Sequence, residues 1–172
     1  MYEVKYLEAT GTQWIDTGID ISSLNYTIKA KAEDEFAFGY CHQNLTSGTW
    51  LGVTWYSKNE DNIRLFYKNY NTVKETPKTS NRTYTIDFEN GKFYCDDDLI
   101  YLFSPGVGSD SIKNISLPIF EMYNFEKNSV QNNGRTSKCY SFQIYESDVL
   151  VRDFIPVIDN SGKACMYDKA SG

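Results

Sequence analysis

The chain has 172 residues, a formal net charge of −6 and a pI near 4.8; no cluster of Lys and Arg stands out, which argues against nucleic acid as a partner because phosphate contacts need a cationic footprint. No apolar run approaches the roughly 18 residues of a membrane-spanning helix, and no signal peptide is evident. Aromatic residues make up 16% of the sequence, and Thr, Ile and Val are frequent. No window repeats apolar residues at helical spacing, so an all-β chain is predicted.

Taken in order, the N-terminal segment carries Tyr6, Trp14 and Ile15, with Gly11 and Gly18 where turns are needed, and reads as short strands that pin the terminus to a sheet. In Asn25–Ala32, Tyr26, Ile28 and Ala30 alternate with Thr27, Lys29 and Lys31, the pattern of a half-solvated strand. Phe36–Cys41 and Thr49–Ser57 read as neighbouring strands across a polar loop. In the second of these, Leu51, Val53 and Trp55 share one face, with Trp55 assigned to the core, and Trp50, Thr54 and Tyr56 share the other. Asn62–Asn69 sets Ile63, Leu65 and Tyr67 against Arg64, Phe66 and Lys68.

Thr72–Arg82 is polar, contains Pro77 and reads as a long loop. Asn81–Phe88 and Gly91–Tyr94 meet at Asn90-Gly91, a dipeptide whose preference for positive φ suits a two-residue hairpin turn. Asp96-Asp97-Asp98 supplies a second turn, with Leu99–Phe103 returning from it. Ile115–Asn124 is predicted as one strand, with Phe120 and Met122 opposing Glu121 and Tyr123. In Ser141–Pro156, Phe142 and Ile144, with Tyr140 extending the set, alternate with Ser141, Gln143 and Tyr145. Glu146-Ser147-Asp148 turns the chain, and Val149–Ile155 returns inside the sheet until Pro156 ends it. The count is about a dozen short strands, the spacing of a sandwich or jelly roll, and residues 1–172 form one domain. Cys41, Cys95, Cys139 and Cys165 lack paired-ligand spacing and read as free, mostly buried thiols. His42 is the sole histidine.

Two stretches at opposite ends resemble a known family. Tyr6-Leu7-Glu8-Ala9-Thr10-Gly11-Thr12-Gln13-Trp14-Ile15-Asp16-Thr17-Gly18 is similar to the opening signature of the LamG-like, concanavalin A-like domains common in phage and prophage tail proteins, usually with Ser where Ala9 stands. Val151-Arg152-Asp153-Phe154-Ile155-Pro156, Ser161-Gly162-Lys163 and Met166–Gly172 resemble its close. The resemblance implies an antiparallel two-sheet sandwich of the jelly-roll kind, excised from a longer chain. It also implies a place in a virion tail or at a cell surface, and non-catalytic recognition of a cell-surface glycan. A structural or oligomerisation module, forming a homo-oligomer through the parent chain without binding sugar, is the alternative.

Within that frame, Trp50, Tyr56, Arg64, Phe66, Glu121 and Tyr123 are the expected ligand-binding residues, because aromatic rings stack on the apolar faces of sugars while polar neighbours fix orientation. Glycosidase relatives use paired carboxylates, for which Glu121 and Glu126 are the candidates. The family's hydrolase pattern has an Asp between them where this chain has Tyr123, so no enzymatic activity is expected. Asp96, Asp97 and Asp98, and Asp159 with Asn160, are oxygen sets that calcium could use, with solvated turns the plainer reading and no cofactor expected. Arg152 and Asp153 are expected to fix strand register.

Overall fold

A computed structural model describes residues 1–20, 25–34, 36–41, 51–55, 62–67, 69–77, 81–104, 116–124, 127–131 and 136–172. For 41, 51–55, 62–67, 69–77 and 131 the description is of backbone and pairing. Among the described residues there is no helix, and the strands form two large sheets.

The first sheet has nine strands, all antiparallel. In order they are β1 (Tyr2–Glu3), β16 (Val149–Ile158), β15 (Thr136–Glu146), β4 (Tyr26–Asp34), β9 (Arg82–Asp87), β10 (Lys92–Cys95) and β11 (Asp98–Leu102), with β2 (Leu7–Thr10) on β15 and β17 (Ala164–Asp168) on β16. The second has eight: β14 (Ser129–Gln131), β13 (Met122–Asn124), β5 (Phe38–Cys41), β6 (Leu51–Trp55), β7 (Asn62–Tyr67) and β8 (Asn69–Pro77), with β12 (Pro118–Ile119) bridging β5 to β3 (Ile15–Asp16). Its β13–β5 pair is parallel, so this sheet is mixed.

Period-two patterning explains the core. Along β4, Tyr26, Ile28, Ala30 and Ala32 are buried while Lys29 and Lys31 are exposed, and on β15 Phe142 and Ile144 stand opposite Ala30 and Ile28. The two sheets meet through aromatic rings. Phe38 of the second sheet packs edge-on against Phe142 of the first at 5.2 Å between centroids, and Phe36, just before β5, lies 6.3 Å from the same Phe142 ring in a tilted pair.

Several expectations are corrected by pairing that single-strand patterns do not reveal. Thr72–Pro77 is not loop: it belongs to β8, and Pro77 stands opposite Asn62 at the strand's end, a place where a missing N–H is tolerated. Pro156 does not end β16, which continues to Ile158; its carbonyl still accepts the Val4 N–H at 3.0 Å and it pairs with Met166. Ile115–Asn124 is not one strand. Phe120 adopts φ 76° and divides β12 from β13. The Asn90-Gly91 hairpin exists, but only Gly91 has positive φ, and the wider loop is held by the Asp87 carboxylate accepting the Asn90 N–H at 2.8 Å. On β15 a register shift between Cys139 and Ser141 moves Tyr140 out of the buried set of Phe142 and Ile144.

The β15–β16 hairpin turns at Ser147 and Asp148, both with positive φ. Its far end is held by Asp168. The Oδ1 atom of Asp168 accepts the N–H groups of Asp153 at 2.8 Å and Ala170 at 3.0 Å, and Oδ2 lies 3.5 Å from Arg152 Nε. Arg152 Nε also donates to the Thr17 carbonyl at 3.1 Å, so one guanidinium joins the N-terminal segment to the C-terminal hairpin. Gly18, at φ 68°, makes the turn beside it; a Cβ there would meet Arg152 Nη2 at 3.8 Å. Desolvation alone would raise the Asp168 carboxyl's pKa, but the Asp153 N–H, the Ser171 hydroxyl, the Ala170 N–H and Arg152 together hold it below the ordinary value.

Two stability predictions follow from buried polar groups. Replacing Asp168 with Ala should destabilise the fold by about 1–3 kcal/mol, the cost of stranding donors to a charged acceptor. Because its folded pKa is depressed, this contribution is complete above the unfolded value of about 3.9 and is lost as pH falls through the folded one. The gap in melting temperature between wild type and Asp168→Asn should therefore close in acid. The Tyr84 hydroxyl, by contrast, is buried with no hydrogen-bond partner among the described residues, and burial pushes its pKa up. Tyr84→Phe should raise the melting temperature by about 2–4 °C, equivalent to removing about 1 kcal/mol of desolvation penalty.

Candidate ligand-binding site

A cavity of about 470 Å³ opens where the two ends of the chain meet. Its apolar lining is Leu7, Ala9, Ile15, Phe120 and Met166, residues that belong to the core or pack against it. Glu8, Gln13, Trp14, Lys163, Ala164 and Cys165 complete the lining. An apolar hollow with a few convergent polar groups, in this size range, is the usual make-up of a small-ligand site.

Each wall is rigid for a local reason. On the N-terminal side, β2 is held along β15 with Glu8 opposite Lys138 and Leu7 opposite Cys139. The chain then turns at Gly11, φ 101°, and Gln13 fixes the turn: its Oε1 accepts the Thr10 N–H at 2.8 Å and the Thr12 N–H at 3.3 Å. The next residue, Trp14, leaves this clamp 47% exposed and has no ring partner among the described residues. It is followed by Ile15, which pairs with Ile119.

The opposite wall begins at the β16–β17 turn. Asp159 Oδ1 accepts the Ser161 hydroxyl at 2.6 Å, the Ser161 N–H at 2.8 Å and the Lys163 N–H at 2.9 Å. The Ser161 hydroxyl above all, then the Lys163 N–H, with lesser help from the Ser161 N–H and the Lys163 charge, outweigh desolvation and hold the Asp159 carboxyl below its ordinary range. The turn places Lys163 on the cavity's lining, and its backbone N–H completes the loop.

The six residues expected from the sequence are placed differently from one another. Trp50 and Tyr56 lie outside the described residues. Arg64 stands opposite Thr54, and Phe66 opposite Gly52, which in turn pairs with Gly39 and through it with Met122. Tyr123 falls in the alternate row, opposite Tyr40, which pairs with Leu51. Alternate rows of a pleated sheet face opposite sides, so the register brings Arg64 and Phe66 together and sets Tyr123 apart. Tyr123 packs against the core, with its hydroxyl donating to Asn128 Oδ1 at 2.7 Å. Glu121 is buried, 3% exposed.

Of the oxygen sets considered for calcium, Asp96, Asp159 and Asn160 are engaged by protein donors. Asp96 accepts the Thr83 N–H at 2.8 Å and pairs with Arg82 at 3.0 Å, Asp159 holds its turn as described, and Asn160 Oδ1 accepts the N-terminal ammonium. Asp153 accepts from Gln143 Nε2 at 2.9 Å, which ties β15 to β16 as expected of a register-fixing residue.

No protein-family model matches this chain, and neither the curated proteins nor the solved structures contain a match to it. The Trp14 cavity is therefore read on its geometry. No pattern within the N-terminal segment alone could have revealed it, because its second wall comes from residues about 150 positions later.

The cavity makes one chemical prediction. Cys95, Cys139 and Cys165 are free thiols, the first two buried, and burial pushes the Cys139 thiol up, well above an ordinary cysteine. Cys165 alone of these lines the cavity. In the folded protein a maleimide should modify Cys165 ahead of the other two, since reactivity follows access to thiolate. Mass spectrometry of Cys165→Ser should show that fast modification gone.

Proposed function

We propose that the chain is a non-catalytic module that recognises a cell-surface carbohydrate, built as a concanavalin A-like jelly-roll sandwich of the LamG-like kind and carried at a virion tail or cell surface. The observation that carries this reading is the half-exposed Trp14 ring on a rigid turn beside an apolar cavity with polar groups on both walls. An indole in this position offers a flat apolar platform to the C–H face of a sugar and loses little conformational entropy on binding. Lys163 on the lining, together with strand backbone, supplies hydrogen-bonding groups for hydroxyls. Sheet packing through Phe38 and Phe142 supports the sandwich.

A specific observation also favours a second reading, an assembly module. Leu99 and Leu102 are 49% and 61% exposed on β11, the end of the first sheet's strand order, and apolar strands at sheet edges are surfaces on which chains associate. Light scattering separates the two, because assembly requires a stable oligomer that a Leu99→Lys, Leu102→Lys double variant dissolves.

For the carbohydrate reading, a glycan array probed with wild type should give hits that Trp14→Ala loses by about tenfold or more, the loss of a stacking platform worth about 1.5 kcal/mol. Retention of every hit by a folded Trp14→Ala protein would remove the cavity from the binding site.

A further inference from the structure

Charge is distributed unevenly around the cavity. On one wall, Glu8 stands directly opposite Lys138 in the β2–β15 pair, so a cation faces it from the neighbouring strand. Lys138 in turn lies 3.5 Å from both Glu33 and Asp34 and 5.5 Å from the centre of the Tyr6 ring, which fixes it on that side of the sheet. The other wall has no such balance. Lys163 is exposed and makes no ion pair among the described residues. Asp159, whose carboxyl feels the Lys163 charge, has its Oδ1 committed to three donors within the turn.

An ammonium left unpaired on the lining of an apolar cavity, in a chain of net charge −6, is a specificity feature. Its field is local, because salt screens an exposed charge over a length of about 10 Å. A ligand is therefore rewarded for carrying negative charge at one place only, next to Lys163. The carboxylate of a sugar acid suits this: it accepts a charge-assisted hydrogen bond from Lys163 while the ring beside it stacks on Trp14.

Resting on the carbohydrate reading of the same cavity, we propose that the ligand is an acidic saccharide, a uronic or nonulosonic acid residue whose carboxylate is held by Lys163. Its apolar face meets Trp14. Lys163 acts through its side chain alone, since the bond that shapes the turn comes from its backbone N–H to Asp159; substitutions there leave the turn intact.

The test is a set of matched glycan pairs, each acidic saccharide printed beside its carboxyl-reduced, neutral counterpart, with binding read at low and physiological salt. Wild type should bind acidic members at least about tenfold more tightly than their neutral partners, as for a hydrogen bond to a charged group, and salt should narrow that ratio. Lys163→Gln should abolish the discrimination while Lys163→Arg retains most of it, and Trp14→Ala should weaken both members of a pair. Equal binding of acidic and neutral partners, or a ratio unchanged in Lys163→Gln, overturns the acidic-ligand inference and leaves carbohydrate recognition standing. Absence of binding to any saccharide, acidic or neutral, overturns both.

Discussion

The contact on which the architecture depends is the one between Arg152 and the N-terminal segment. Two chain ends separated by well over a hundred residues are held together by a guanidinium that reaches the Thr17 carbonyl on one side and the Asp168 carboxylate on the other. Because Asp168 also accepts the N–H of Asp153, the residue next to Arg152, the pair is braced through backbone as well as charge. A partly buried ion pair of this kind is a weak source of net stability if counted as Coulomb attraction alone, since desolvation opposes it. Its value here is geometric: it sets where the segment carrying Trp14 lies relative to the hairpin carrying Lys163.

The central strand β15 extends this control. It is paired along β4 on one side, while on the other its two halves pair with β2 and with β16. The register shift at Tyr140 occurs where the partner changes from one to the other. There the Tyr140 hydroxyl donates to Glu33, and Lys138 pairs with Glu33 and Asp34. The Tyr140 hydroxyl above all, with Lys138, holds the Glu33 carboxyl below its ordinary range against a desolvation effect. Side chains at the bulge thus lock β4 to β15 on the outer face, while Cys139 and Phe142 stay buried on the inner one. β2 then has one position available to it, and the cavity edge formed by Leu7 to Ala9 is fixed in consequence.

Strands were legible in the sequence where a single segment carries its own alternation. Tyr26 to Ala32 shows it, and so do Leu51, Val53 and Trp55 against Ile63, Leu65 and Tyr67, which the register pairs as the pattern requires. Features decided by a partner elsewhere were not legible. The polar run at Thr72–Pro77 becomes a strand because β7 lies beside it, and Pro156 is carried within β16 because β1 and β17 flank it. Phe120 breaks its strand with a left-handed backbone that no local turn residue announces. The candidate site shows the same limit more sharply: Gly11, Gln13 and Trp14 look like a turn and a strand start until the β16–β17 turn is placed across from them.

This has a consequence for how the molecule presents a ligand surface. A platform drawn from one sheet face requires its members to sit in rows of the same parity, and the β13–β5–β6–β7 register puts Tyr123 with Tyr40 and Phe66 with the glycine pair Gly39 and Gly52. A surface built at the junction of chain ends is free of that parity rule, because a turn residue such as Trp14 and a loop residue such as Lys163 can be aimed independently of any pleat. What it needs instead is rigidity in two turns, and both are fixed by side chains that accept backbone N–H groups: Gln13 on one wall and Asp159 on the other. The same economy of design explains why Gln13 sits next to Trp14, and Asp159 at the start of the turn that ends at Lys163, without themselves having to touch a ligand.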